Sequence, residues 1–448
     1  AEAVPATLMQ TEMLNRYRDD RERRGIFHVQ LAYRWNLGDF SVERLRRALT
    51  WAADTPSFRC RFRLCDDGGF SLYWVDGAPL PLTADDWRNV KGDLTTDLQQ
   101  RIDSDRRRPF LLDAPDQPLW RLQVIRLPED EVFFLFSMHH AIQDGWTIQR
   151  FLRRLIDAYG GDISIDNPPS GPSDIGMAEY ALFEAARSRE VRSNEWRRAL
   201  EQHLTDLGLD RWPESSMILA RTRAVRQEQA GLSVDSALTS ALIQRASASG
   251  STPRAILLWA WSRAIAHWPM VRAERAVPIG VVTNGRHSEM SDPLNAAGMF
   301  WYLSPVLVPL ATIRSRQDHV LISRQLQGYL NAAEHLGSCP LSGLQSFAGG
   351  VLFNATLNYV DYAEIDSRAQ TSGSNDLKSV HQSDDFGFAY QLFASMSHQP
   401  RPSLWLKLAI VPEALPVGVT ADELLERVRQ ELSALIEEWP LSMPLAIS

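Results

Sequence analysis

Long apolar runs are missing from this 448-residue chain. None approaches the ~18–20 residues that crossing a bilayer as a helix requires. The opening AEAVPATLMQ holds no basic segment followed by an apolar one, so no secretory leader is expected there and the expected location is cytoplasmic. The first residue is Ala1 rather than Met, as expected of a piece cut from a longer polypeptide. Cysteine is scarce: Cys60, Cys65 and Cys339 cannot all pair, and small buried thiols are expected. No His/Cys/Asp/Glu spacing resembles a zinc or calcium site, so no metal is expected. A surplus of positive charge is lacking too. Lys+Arg 47 against Asp+Glu 55 leaves a net charge of −8, which draws the chain towards neither nucleic acid nor an anionic membrane. Repeats, a G-x-S-x-G elbow, a Walker loop and a Rossmann fingerprint are all absent.

What is present is an ordinary globular balance, 44% hydrophobic and 23% charged. The length exceeds one core and predicts two or three packed units. Helix and strand signals alternate. Thr7 with Gln10 predicts a capping box, and FHVQLAYRW (27–35) a strand. Ser41 predicts the cap of a helix with Val42, Leu45, Leu49 and Ala52 inward. Residues 119–127 and 131–138 read as a hairpin turned at Pro128-Glu129-Asp130; its second strand is apolar enough to be buried on both faces. A helix ending at Gly160-Gly161 follows. Thr252-Pro253 starts another, AVPIGVV (276–282) and VLFNATLNYV (351–360) read as strands, and Thr420 with Glu423 begins a terminal amphipathic helix. The Pro/Gly-rich stretch 162–174 is the candidate boundary, and the Ser/Asp-rich stretch 366–385 reads as a long surface loop.

Chemistry concentrates at Ser137-Met138-His139-His140-Ala141-Ile142-Gln143-Asp144-Gly145-Trp146, where a buried strand ends and a helix begins. A junction of this kind projects side chains into a cleft from a rigid support. Side chains alternate along a strand, so one of the adjacent histidines is expected to face the interior and the other a cavity. An imidazole moves protons near neutral pH. Asp144 is expected either near the imidazole or turned back to pin the loop, with an arginine as partner. Gly145 permits a tight turn whose N–H could approach a developing oxyanion.

The HHxxxDG motif after an apolar strand resembles the condensation domain of nonribosomal peptide synthetases, within the chloramphenicol-acetyltransferase-like superfamily. Further segments resemble that family: Leu8-Met9-Gln10, Arg108-Pro109-Phe110, Pro118-Leu119-Trp120-Arg121, Tyr180, Asn194-Glu195-Trp196, Gly280 to Arg286 (its "GxxxxGR"), and Gly298-Met299-Phe300 to Pro305. The resemblance implies an α/β fold of two acetyltransferase-like lobes, a V-shaped pseudo-dimer with a central tunnel. Residues 1–172 would be the lobe carrying HHxxxDG and 173–448 the lobe with a latch-type loop. It implies transfer of an acyl or peptidyl thioester from a carrier protein to a carrier-bound or free amine or hydroxyl, making an amide or ester. No covalently bound cofactor is implied; the phosphopantetheine arm comes with the partner carrier protein. Carried over by position, His140 is the catalytic histidine, His139 its support, Asp144 the structural carboxylate, and Gly145 a backbone N–H donor. Trp146, Trp301 and Tyr302 are candidates for lining the tunnel or bracing it.

This sequence also departs from the family. Where members commonly show "RHxxLRTxF", it reads Asp54 to Phe62, keeping only Arg59 and Phe62. Tyr302 stands where the family has Asn. Arg59 and Arg286 are the two candidates for the partner of Asp144. These departures favour an initiating, free-standing or chain-releasing variant. Two alternatives are a stand-alone acyl-CoA-dependent acyltransferase and an inactive recruitment domain, the latter expected to have lost the histidine motif.

Overall fold

The computed structural model describes residues 4–19, 26–112, 114, 117–161, 176–190, 195–213, 228–266, 275–286, 290–315, 318–336, 341–349, 352–361, 377–383, 388–398, 400–411 and 418–439. The chain forms two compact units, each discontinuous in sequence. One comprises Ala1–Glu190, Asn284–Trp301 and Thr371–Gly387, and the other Val191–Thr283, Tyr302–Gln370 and Phe388–Ser448. The expected boundary at 172/173 and the stretch 162–174 lie outside the described residues. Among the described residues no helix is long and apolar enough to cross a membrane.

The first unit opens with β1 (Val4–Pro5), α1 (Leu8–Asp19), β2 (His28–Asn36), α2 (Val42–Ala52) and α3 (Pro56–Arg59). Next come β3 (Cys60–Leu64), β4 (Phe70–Trp74), β5 (Leu82–Asp86), α4 (Leu94–Arg106), β6 (Trp120–Arg126) and β7 (Glu131–His139). A 3-10 turn at His140–Ile142 leads into α5 (Gly145–Gly160), and α6 spans Gly176–Glu190. The second unit contributes α7 (Glu195–Asp206), β8 (Glu228–Val234), α8 (Ser236–Ser249), α9 (Pro253–Ile265), β9 (Ala276–Asn284) and β10 (Trp301–Pro309). It continues with α10 (Leu310–Arg314), α11 (His319–Leu336), α12 (Leu341–Ala348) and β11 (Ala355–Asp361). After β12 (Leu377–Ser383) come β13 (Tyr390–Ser397), β14 (Ser403–Ile410) and α13 (Ala421–Glu437).

In the first unit the main sheet runs β12-β2-β7-β6-β5, beside a small sheet β1-β4-β3. Its central β6–β7 hairpin is antiparallel, and Glu129 and Asp130 turn it with φ of 59° and 58°. The apolar β7 is covered on both faces, as its composition demands. Phe133 and Leu135 meet Leu98 and Ile102 of α4. Phe136, on the opposite face, lies 5.3 Å from Phe151 of α5, which closes a ring cluster with Phe58 and Trp120. Truncating a ring of this kind to Ala costs about 3–5 kcal/mol. One expectation needs correcting. The stretch 366–385 is not a loop throughout, because 377–383 forms β12 and pairs antiparallel with β2. Backbone hydrogen bonding to an open sheet edge outweighs the weak strand signal of LKSVHQS. The rest of that stretch lies outside the described residues.

The second unit's sheet runs β10-β9-β11-β13-β14-β8. β11 is parallel to β9 and β13, and β14 is antiparallel to β13 and β8. Its core holds α9, which is buried nearly all round, as an apolar helix without a polar face must be. Thr420 and Glu423 start α13 as expected, and they form a capping box there. Thr252 differs: its hydroxyl bonds Gln327 and makes no cap bond, while Pro253 occupies the first turn. At Gly280 a Cβ would stand 2.2 Å from the Phe353 ring, so only glycine fits that strand position.

Candidate active site

The site is built where β7 stops. His139 is the last residue of the strand, and His140 starts the 3-10 turn. The strand alternation argument therefore does not separate the two rings. The backbone leaves the sheet between them, and both are buried, at 2% and 7% exposure. The His140 N–H donates to the Phe27 carbonyl at 2.8 Å, and Phe27 adopts φ 61°, a rare backbone state for a bulky residue. Gln10 holds the next peptide, its Nε2 donating to the Ala141 carbonyl at 2.8 Å. The same glutamine closes the capping box with Thr7 at the start of α1. The His140 ring lies 5.2 Å from the Trp301 ring, edge-on, and the Trp301 indole N–H donates to His140 Nδ1 at 3.4 Å.

His139 faces the turn that follows it. Its Nδ1 accepts the Ala141 N–H at 3.2 Å. Burial, and secondarily the neighbouring His140 and His28, push its pKa down to about 3, so the ring stays neutral.

Asp144 is the N-cap of α5, and its Oδ1 accepts the Thr147 N–H at 2.8 Å. Oδ2 receives the Phe300 N–H at 3.3 Å and an N–H of Arg286 Nη1, while Arg286 Nη2 donates to Oδ1 at 3.0 Å. Of the two candidate arginines, Arg286 is the partner. Arg59, at the end of the short α3, pairs instead with Asp76 at 2.6 Å. The Asp144 carboxylate is thus filled by a helix cap and a two-point guanidinium pair, which tie the start of α5 to the stretch 284–301. Gly285 makes this possible. Its N–H donates to the Phe300 carbonyl at 2.7 Å, and a Cβ there would strike that oxygen at 2.1 Å. Arg286 can approach Asp144 because the preceding residue has no side chain.

Gly145 is not a tight-turn residue. It is the exposed first residue of α5, has no positive φ, and has nothing within 4 Å of a Cβ position. Trp146 is half-buried, its indole N–H donating to the Leu294 carbonyl at 3.2 Å. Tyr302 belongs to the second unit, where its hydroxyl donates to the Glu334 carbonyl at 3.4 Å. Sequence reasoning missed Thr147, whose hydroxyl bonds the Gly298 carbonyl at 2.9 Å and accepts from Arg286 Nη2 at 3.0 Å. Its spacing three residues after Asp144 was the available signal. Asp105 was missed as well. It accepts from Arg121 at 2.5 Å, Ser137 at 2.5 Å, Gln123 at 2.7 Å and Gln30 at 2.8 Å. Nothing local in the sequence marks it.

Solved structures with this fold include the X-domain from teicoplanin biosynthesis, with a TM-score of 0.74 and 18% identity, covering 98% of this chain and 96% of that one. The first condensation domain of the CDA synthetase matches with a TM-score of 0.67 and 18% identity over 97% of each chain. A family model described as the condensation domain matches residues 1–398, and the chain belongs to that family. Vanchrobactin synthetase VabF of Vibrio anguillarum is 26% identical over 292 residues, 63% of this chain and 10% of that protein. Phosphinothricin tripeptide synthetase PhsC of Streptomyces viridochromogenes is 29% identical over 238 residues, 51% of this chain and 21% of that protein. The chain therefore spans only a small part of the length of these relatives. Condensation domains of nonribosomal peptide synthetases catalyse amide-bond formation, an acyltransferase-type reaction, and work with the phosphopantetheine arms of carrier proteins.

Proposed function

We propose that this chain transfers an acyl or peptidyl group from a carrier-protein thioester to an amine or hydroxyl acceptor, with His140 as the imidazole that serves the reaction. The observation carrying this reading is the Asp144–Arg286 pair, which locks the start of α5 and so fixes the turn bearing His140. Rigid placement of one imidazole is what proton handling at a forming amide or ester requires. Asp144, Arg286 and Thr147 position the turn, His139 and Gln10 brace it, and Trp146 and Trp301 flank it. The donor is carried on a phosphopantetheine arm of a partner protein, and the working compartment is the cytoplasm. A hydroxyl acceptor, an initiating role or a chain-releasing role stays within the same chemistry.

The test is product and intact-protein mass spectrometry with acyl-loaded carriers offered to carrier-bound and free amines and alcohols. His140→Ala should lower turnover by about 10²–10⁴-fold while circular dichroism stays unchanged. Equal turnover by the His140→Ala protein would end the assignment. Preference for free acyl-CoA over acyl carrier would replace the donor class.

A further inference from the structure

The indole nitrogen of Trp301 can only donate a hydrogen bond. It points at His140 Nδ1 from 3.4 Å, with the two rings edge-on at 5.2 Å and both residues buried. An N–H aimed at a ring nitrogen needs a lone pair there. A neutral imidazole with its lone pair on Nδ1 carries its proton on Nε2. From this geometry we propose that Trp301 is a positioning residue that holds His140 in the Nε2–H tautomer, so that whatever Nε2 meets, it meets as a hydrogen-bond donor. The inference rests on the reading of His140 as the reacting imidazole and deepens it. It assigns the polarity of the ring, whereas the reading assigns only the ring's involvement.

The neighbouring residue follows the same pattern. His139 Nδ1 accepts the Ala141 N–H at 3.2 Å, so the two consecutive rings are both held with a lone pair on Nδ1. For His139 the donor is a backbone amide, which every non-proline residue supplies. For His140 it is a side chain, and a single substitution removes it. Trp301 is well placed for the task. It is the first residue of β10, it follows Phe300 whose N–H bonds Asp144, and it is 8% exposed. The carboxylate that pins the helix and the indole that orients the ring are therefore served by adjacent residues on the same stretch of chain. A ring held in this way stabilises negative charge developing on an oxygen without first changing its own protonation. Base chemistry at Nε2 would require the proton to move to Nδ1 and the indole bond to break.

The experiment is nitrogen-15 long-range correlation spectroscopy on histidine-labelled protein. The His140 resonances are assigned among the ten histidines by their loss in His140→Gln. In the unsubstituted protein near neutral pH, Nδ1 should appear as an unprotonated and Nε2 as a protonated nitrogen. In Trp301→Phe, which keeps an aromatic edge and removes the N–H, the two signals should move towards averaged values, and kcat should fall about tenfold with KM little changed. A protonated Nδ1 in the unsubstituted protein overturns the proposal. So does an unaltered tautomer in Trp301→Phe, or an altered tautomer with unaltered kcat. The spectrum of the unsubstituted protein is decisive even if Trp301→Phe folds poorly. Full turnover by His140→Ala would sink the functional reading instead, and the measured tautomer would stand.

Discussion

Two buried aspartates of the first unit, Asp105 at 3% and Asp144 at 4% exposure, each pair with an arginine yet perform different work. Asp105, at the end of α4, faces side chains from three strands of the sheet. Arg121, Gln123, Ser137 and Gln30 donate to it, and His28 Nε2 lies 3.5 Å away. Burial alone would raise its pKa, but His28, Arg121 and Ser137 hold it well below the usual carboxylate range. Asp144 instead faces one helix end and one stretch of chain, 284–301, and its bonds are to backbone N–H groups and Arg286. The first is a polar rivet through the sheet that carries β7. The second is a clamp on the turn where β7 ends. One fixes where β7 lies, and the other fixes what its last residues present.

The largest effect should come from breaking the rivet. Asp105→Ala leaves Arg121 buried and unpaired, with an expected loss of about 3–5 kcal/mol in urea denaturation. Asp105→Leu combined with Arg121→Met should recover much of it. If Asp105→Ala unfolds at the same urea concentration as the unsubstituted protein, the cluster is not a stabilising hub. Breaking the clamp should cost less stability and more function. Asp144→Ala should lose about 2–3 kcal/mol, from a helix cap plus an unpaired guanidinium, and should lower turnover as well. An Asp144→Ala protein with full stability and no activity would mean that the carboxylate acts chemically.

Acid should act on the rivet first. Burial holds His28 at about 4 and His139 at about 3, against 6.5 in the unfolded chain. Between about pH 6.5 and 4 the unfolded chain takes up protons that the native state refuses, so stability falls as pH falls. The slope is up to about 1.4 kcal/mol per pH unit for each ring. His28→Asn should flatten that slope in pH-dependent urea titrations. The smallest effect has the opposite sign. Glu184 of α6 is buried and pushed up to about 7, although the Leu8 N–H at 2.5 Å and the Tyr180 hydroxyl at 3.3 Å favour its charge. Its native pKa exceeds the unfolded value of 4.5, so stability falls as pH rises from about 4.5 to 7. Glu184→Gln should gain on the order of 1 kcal/mol at pH 8 and nothing at pH 4. A gain at both pH values would point to packing rather than charge.

The contrast also explains what could be read in advance. Asp144 was legible because His140 and Gly145 lie within four residues of it, and the motif, the strand before it and the helix after it are local patterns. The capping box of α1 and the start of α13 were legible for the same reason. Arg59 and Arg286 could not be told apart, because the choice depends on which chain segment returns to β7. In the event, Gly285 lets the later segment come close and the end of α3 turns Arg59 towards Asp76. Asp105 was invisible because the side chains that donate to it come from 16 to 75 residues away and none shares a pattern with it. The strand at 377–383 was hidden similarly, its polar residues carrying little β signal until β2 offers an edge.

Taken alone, the amino-acid order determined the elements whose causes are local: the apolar strand, the capped helices, the His-His-x-x-x-Asp-Gly junction and the family to which they belong. Tertiary structure alone decided which arginine meets Asp144, that Trp301 donates to His140, and that Asp105 joins helix to sheet. Hydrophobic period and caps act over a few residues, whereas a buried charge is satisfied by whichever donors the folded backbone brings within about 3 Å.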